Sequence, residues 1–237
     1  VNVFQSGRYS DHHPTTIDYP VHIDLRDRLP PATDQGDLGS CTGLALTVAA
    51  EYANTINRND PTRLSALFVY WTERVLEGTT DRDGGAHLHT GIAALAQHGA
   101  CPDALWPHEP ENVLVEPPEE AFSAALPYRI TQAYQITSLT EILSCLSSGW
   151  PFVFGFMAHE SFGSERVARS GRLRMPGATE RQVGGHAAMA VGYDLRKKTA
   201  LVRNTWGPAW GLDGHVDLPL AYFSNPDLVI DCWTIRA

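Results

Sequence analysis

Lysine is almost absent from this chain of 237 residues: Lys197 and Lys198 are its only two, and the remaining basic residues are arginines. With 18 basic against 27 acidic side chains the formal charge is −9. That balance excludes nucleic acid as a generic partner, and no run of Lys or Arg reverses it. No apolar stretch approaches the roughly 20 residues a spanning helix needs, so no membrane crossing is expected. The start, Val1 to Arg8, has neither an initiator Met nor the apolar core of a signal peptide. Either an upstream segment has been removed or the sequence is trimmed, which leaves a cytoplasmic and an exported location both open. Arginine in place of lysine suits a GC-rich, bacterial coding sequence. Cysteine is scarce too: Cys41, Cys101, Cys145 and Cys232 are all there is, and if Cys41 must stay reduced the other three leave an odd thiol. Three buried thiols serving as small core hydrophobes are the expectation.

What is present is an ordinary globular composition, 43% hydrophobic and 19% charged, long enough for one domain or two joined halves. Residues 1–21 are polar and aperiodic, and read as an extended N-terminal arm with a possible regulatory role across or near the site. Residues 22–125 read as a mainly helical lobe. Apolar positions from Leu44 to Ile56 predict a buried helix after Gly39 and Ser40. Ser65 and Gly78 bracket a second helix, and Thr90 and Gly99 a third. A proline-rich segment (Pro102 to Pro118) then crosses the surface. Residues 126–237 read as a β-rich lobe whose C-terminal end crosses back. Ser138 to Glu141 is a capping-box pattern opening a short helix through Leu146. Strands are predicted at 151–157, 186–193, 199–202, 214–218 and 230–235. The fold class is α+β, helical first and antiparallel β-barrel-like second, with an active-site cleft between the halves.

Three local patterns carry chemistry. Cys41 follows a glycine-rich loop and opens a helix, where partial positive charge and unpaired N–H groups favour thiolate over thiol. His186 follows Gly184 and Gly185, so a backbone or substrate can approach it closely. Asn204 can accept from one imidazole nitrogen and aim the other at sulfur. Gln35 supplies an amide donor that, with the Cys41 backbone N–H, suits a developing oxyanion. Thiol, imidazole and amide in this order point to nucleophilic catalysis.

The chain resembles the papain family of cysteine peptidases. Gln35-Gly-Asp-Leu-Gly-Ser-Cys41 is similar to the family's Gln-Gly-x-Cys-Gly-Ser-Cys-Trp, and Gly185-His186-Ala187 to its histidine motif. Asn204-Thr-Trp206-Gly-Pro-Ala-Trp210-Gly211 is similar to Asn-Ser-Trp-Gly-x-x-Trp-Gly. Asp83-Gly84-Gly85, His159-Glu160-Ser161-Phe162 and Leu25-Arg26-Asp27 add shorter likenesses, so that roughly residues 22–237 are covered. The resemblance implies Cys41 as nucleophile, His186 as general base and acid, Asn204 as its orienting partner and Gln35 in the oxyanion hole. Trp206 would shield the His–Asn bond, Gly84 and Gly85 would pair with an extended substrate, and Ala86, His87 and Gly185 would lie near its second residue before the cut. Leu38 stands where the family has a cysteine, so that disulfide cannot form. Thr42 stands where it has Trp, which implies looser packing beside Cys41. Both departures resemble a compact prokaryotic branch.

The function expected is thiol-dependent hydrolysis of peptide bonds by a monomer, endopeptidase in type, with a peptide or protein substrate and no cofactor. The alternatives are an acyl or peptidyl transferase or ligase on the same residues, and a silent peptide-binding pseudopeptidase. His87-x-His89, His12-His13 and Asp81-Arg-Asp83 lack the further ligands of a metal site, so none is expected. The arginines from Arg166 to Arg181 read as a solvated loop.

Overall fold

The computed structural model describes residues 4–15 and 18–237, so positions 1–3, 16 and 17 of the expected arm lie outside the described residues. In chain order the elements are β1 (Gln5–Arg8), α1 (Tyr9–His12), β2 (His22–Asp24), α2 (Cys41–Arg58), α3 (Ala66–Glu77), α4 (Leu88–Gln97), α5 (Glu119–Ala125), β3 (Gln132–Gln135), α6 (Leu139–Ser147), β4 (Phe152–His159), α7 (Glu165–Ser170), β5 (Gln182–Asp194), β6 (Thr199–Arg203), β7 (His215–Pro219) and β8 (Val229–Arg236). The chain divides into two compact units. One holds the residues up to Ser6, Gln35–Ala133 and Ile235–Ala237; the other holds Gly7–Asp34 and Tyr134–Thr234. Residues 22–34, expected with the helical lobe, thus group with the β-rich one. The reason is visible in their bonds: β2 pairs antiparallel with β5, and the buried Arg203 guanidinium donates to the Pro30 and Pro31 carbonyls at 2.6 Å each.

In the helical unit, α2 is buried from Thr42 to Asn54. It approaches α3 so closely at Gly43 that an added Cβ would stand 2.6 Å from the Ala66 carbonyl oxygen. The Ser65 side chain accepts from the Phe68 N–H at the start of α3, and Gly78 ends the helix in the left-handed region, as its sequence predicts. Helix α4 differs: it begins at Leu88, so Thr90 lies inside it and does not cap. The Glu77 carboxylate accepts the His87 N–H at 2.9 Å and holds the chain just ahead of this helix. Directly after the proline-rich segment Glu119–Ala125 forms α5, whose Ala121 and Ala125 pack with Phe68 and Cys101.

In the β-rich unit the sheet runs β8-β4-β5-β6-β7, with β2 also on β5. β4 pairs with β5 on one side and β8 on the other, and it is buried on both faces along nearly its whole length, as its apolar run Phe-Val-Phe-Gly-Phe requires. β5 is longer than expected; its first residues, Gln182 to Gly185, are exposed and those from Ala187 to Tyr193 are buried. The described part of the arm is not extended throughout. It carries α1, whose buried Tyr9 stacks on His13 at 4.6 Å, and His12 and His13 meet the Tyr134 ring of β3 at 4.8 and 4.9 Å. Pro14 and Tyr19 bond to Ser144 and Thr140 of α6. Arg166 and Arg169 stand on helix α7 rather than in a loop, because Ser164 caps its start and Gly171 ends it in the left-handed region.

Candidate active site

Cys41 is the first residue of α2 and is half-buried, whereas Cys101, Cys145 and Cys232 are buried; none of the four forms a disulfide. The helix start is built without a side-chain cap and with no acidic residue in the first turn. Ser40, fully buried and placed to cap, bonds instead to His108 Nε2 at 2.9 Å. Gly39 N–H donates to both oxygens of Asp83, at 3.0 and 3.1 Å. The same carboxylate accepts the Tyr70 hydroxyl at 2.5 Å, and that hydroxyl accepts the Gly85 N–H at 3.0 Å. The Asp83-Gly84-Gly85 segment is therefore bonded to the loop that presents the thiol. A Cβ on Gly39 would stand 2.9 Å from Gly85 N, which explains a glycine there, and Gly85 adopts φ +80°.

Gln35 is buried, and its Nε2 donates to the Leu38 carbonyl at 2.7 Å. This fixes the amide within the loop that precedes Cys41. Thr42 is not loosely packed: it is buried, and its hydroxyl donates to Glu73 Oε2 at 2.6 Å. A buried hydrogen bond to α3 stands where the resemblance implied slack. Ala86 packs against Leu38, Leu67 and Tyr70. His87 is exposed, with Nδ1 3.1 Å from Glu77 Oε1.

On the β-rich unit, His186 stands on β5 where the strand passes from exposed to buried, opposite Phe156 of β4. Asn204 follows β6; its N–H donates to the Gly214 carbonyl, and its Oδ1 lies 2.7 Å from His186 Nε2. An amide oxygen only accepts, so Nε2 carries the proton and Nδ1 presents its lone pair. Four aromatic rings surround this pair. Trp206, Phe156 and Phe162 lie 5.2, 5.5 and 5.6 Å from the imidazole, and Trp210 packs on Trp206 and Phe162 at 5.3 Å from each. Burial pushes the His186 pKa down to about 4, against the Asn204 hydrogen bond, which raises it. Gly184, Gly185, His186, Phe162, Val183 and Trp206 line a cavity of about 400 Å³.

The structure thus joins His186, Asn204, Trp206 and Gly185 within one unit, and Gln35, Cys41, Gly84, Gly85, Ala86 and His87 within the other. Sequence reasoning missed Asp83 as the anchor of Gly39, His108 and Glu73 as the partners of Ser40 and Thr42, and Phe156 as a wall of the imidazole. Asp83 had a signal, since it immediately precedes the glycine pair; the others had none.

A thiol at an uncapped helix start stands in one unit, and an imidazole fixed by a buried amide stands in the other. The model of the papain family of cysteine proteases matches residues 19–221, and the chain belongs to that family. It is 38% identical over 213 residues to an uncharacterized peptidase C1-like protein of Acanthamoeba polyphaga mimivirus, covering 86% of this chain and 68% of that one. Its structure is similar to that of xylellain, a cysteine protease from Xylella fastidiosa, with TM-score 0.85, 32% identity, and 93% and 87% of the two chains covered. Cysteine proteinase 3 of Entamoeba histolytica is 22% identical over 201 residues, 83% of this chain and 61% of that one. The protein is accordingly a cysteine peptidase, a thiol-dependent hydrolase of peptide bonds, with a papain-like α+β fold. Among the described residues no helix is long and apolar enough to cross a membrane.

Proposed function

We propose that Cys41 is the nucleophile of an endopeptidase and that His186 is its general base and acid. The observation that carries this reading is the His186–Asn204 bond of 2.7 Å behind an aromatic wall, which commits Nε2 and leaves Nδ1 for the thiol proton. Sulfur adds to the scissile carbonyl carbon, and the negative charge gathers on its oxygen. The Cys41 N–H and the Gln35 amide stabilise that charge; Gln35 is suited to this because its bond to Leu38 fixes the amide plane. His186 passes the thiol proton to the leaving amine, the C–N bond breaks, and an acyl-thioester remains. Water, deprotonated by His186, then releases the acid and restores the thiol.

Gly84 and Gly85 pair with the substrate backbone in an extended conformation, and Ala86, His87 and Gly185 border its second residue before the cut. Trp206 keeps water from the His–Asn bond. The enzyme acts as a monomer on peptide or protein substrates and has neither nucleic acid nor membrane as a partner. A peptide-library cleavage profile of wild type beside Cys41→Ala, with the mass of the acylated enzyme, tests the reading. Cleavage that survives in Cys41→Ala refutes it, and size-exclusion chromatography with light scattering checks the monomer.

A further inference from the structure

A buried acid bonded to the residue after the nucleophile is used by none of these steps. Glu73 of α3 is fully buried, and its Oε2 accepts from the hydroxyl of Thr42, the residue after Cys41. Its Oε1 is buried with no hydrogen-bond partner among the described residues. Helix α4 meets that oxygen at a glycine: a Cβ on Gly91 would stand 2.2 Å from Oε1 and 2.2 Å from Leu46 of α2. The space beside the carboxyl is therefore closed by α2 and α4, and no bulkier partner fits there.

The charges acting on Glu73 come from its own helix. Arg74 favours ionisation, but its guanidinium is committed elsewhere, to the carbonyls of Tyr70, Arg82 and Val113 and to the face of the Tyr70 ring at 4.2 Å. Glu77 opposes ionisation and is itself engaged by His87. α2 contributes the neutral Thr42 and Leu46, and α4 the neutral Gly91. Burial is the largest influence, with the Thr42 bond acting against it, and the carboxyl is pushed up to about 8. A carboxyl in this setting is neutral at ordinary pH and becomes a buried anion only in alkaline solution.

We propose that Glu73 is a positioning residue for Cys41: its neutral carboxyl holds the first turn of α2 through Thr42, and its ionisation disables the thiol. This rests on Cys41 being the nucleophile. When Glu73 ionises, the Thr42 bond persists, but the new charge, tied through that bond to the residue after Cys41, disfavours a second negative charge at the thiol. The enzyme therefore carries an alkaline limit set inside the helical unit, apart from the imidazole.

The test compares full-length wild type with the isosteric Glu73→Gln, which keeps an acceptor for Thr42 and cannot ionise. Alkylation of Cys41 by iodoacetamide, read by mass spectrometry on the Cys41 peptide, is followed from about pH 6 to about pH 9 together with kcat/KM on a cleaved peptide. The expected result is that the ratio of rates at the higher to the lower pH is at least about threefold greater in Glu73→Gln, in both assays. Equal ratios overturn the proposal. If Glu73→Gln fails to fold by circular dichroism, Thr42→Val decides: removing the bond that favours the anion moves the alkaline fall to higher pH, and an unmoved fall overturns the proposal. Alkylation that differs between variants while neither cleaves peptides leaves the positioning role standing and removes the peptidase assignment.

Discussion

Glu73 also makes a stability prediction whose size follows from its surroundings. The carboxyl is raised from an ordinary 4.5 to about 8, chiefly by burial. Between those values the unfolded chain has released its proton and the folded chain has kept it, so stability falls as pH rises. Taken at face value the whole shift corresponds to about 5 kcal/mol, a ceiling because some hydration of the anion is recovered by relaxation. Roughly 3 kcal/mol of it falls between about pH 6 and about pH 9. Glu73→Gln removes the titration and keeps the shape. Urea unfolding of both proteins at the two pH values, with m-values compared, measures the difference. Wild type is expected to lose about 2–3 kcal/mol more than the variant over that interval. A parallel loss in both would refute the placement of Glu73 as a neutral interior acid, and a wild type that gains relative to the variant would reverse its sign.

Asn204→Ala leaves the buried His186 Nε2–H without its acceptor, at about 1–3 kcal/mol, and kcat/KM is expected to fall about 10- to 100-fold with the nucleophile still present by alkylation. Tyr70→Phe removes the hydroxyl that joins the Gly85 N–H to Asp83. KM for an extended peptide is expected to rise about fivefold while kcat changes less, as steady-state kinetics would show. His186 is held at about 4 against an ordinary 6.5, so the unfolded chain takes up its proton first as pH falls. Its contribution to stability is lost between about pH 6.5 and about pH 4, and urea midpoints that decline less in His186→Gln would check it.

Much of this was legible in the residues. The bounds of α3 follow from Ser65 and Gly78, one an oxygen for orphan N–H groups and the other a residue at ease in the left-handed region. β4 was legible because a strand buried on both faces is apolar throughout. His186 and Asn204 were legible as partners only through the motifs around them, since nothing local in a histidine or an asparagine announces a bond between them. α7 was obscured by its arginines: six residues with one buried apolar side chain offer no periodicity, although Ser164 and Gly171 marked both ends. α4 was misplaced because Thr90 looks like a cap, while Glu77, far from it in sequence, fixes the chain ahead of the helix. The bonds that brace the thiol loop span 31, 44 and 68 residues. No repeat or propensity records contacts at such separations; they exist only once α2 and α3 have crossed at Gly43.

Those long-range bonds show how the turn that carries Cys41 is held. Around Cys41, Gly39 is tied to Asp83, Ser40 to His108 and Thr42 to Glu73. An ordinary helix would use the Ser40 hydroxyl to satisfy its own N–H groups and quench the positive end of α2. Here the hydroxyl is turned to His108, so the loop is fixed from outside the helix and the field of the first turn is left for an anion formed at Cys41. The arrangement separates two demands that usually conflict, rigidity of the turn and positive potential at its start. Glu73, kept neutral by its burial, fits the same scheme: a permanent charge at that position would oppose the potential that the missing cap preserves, whereas a neutral acid supplies the hydrogen bond without the charge.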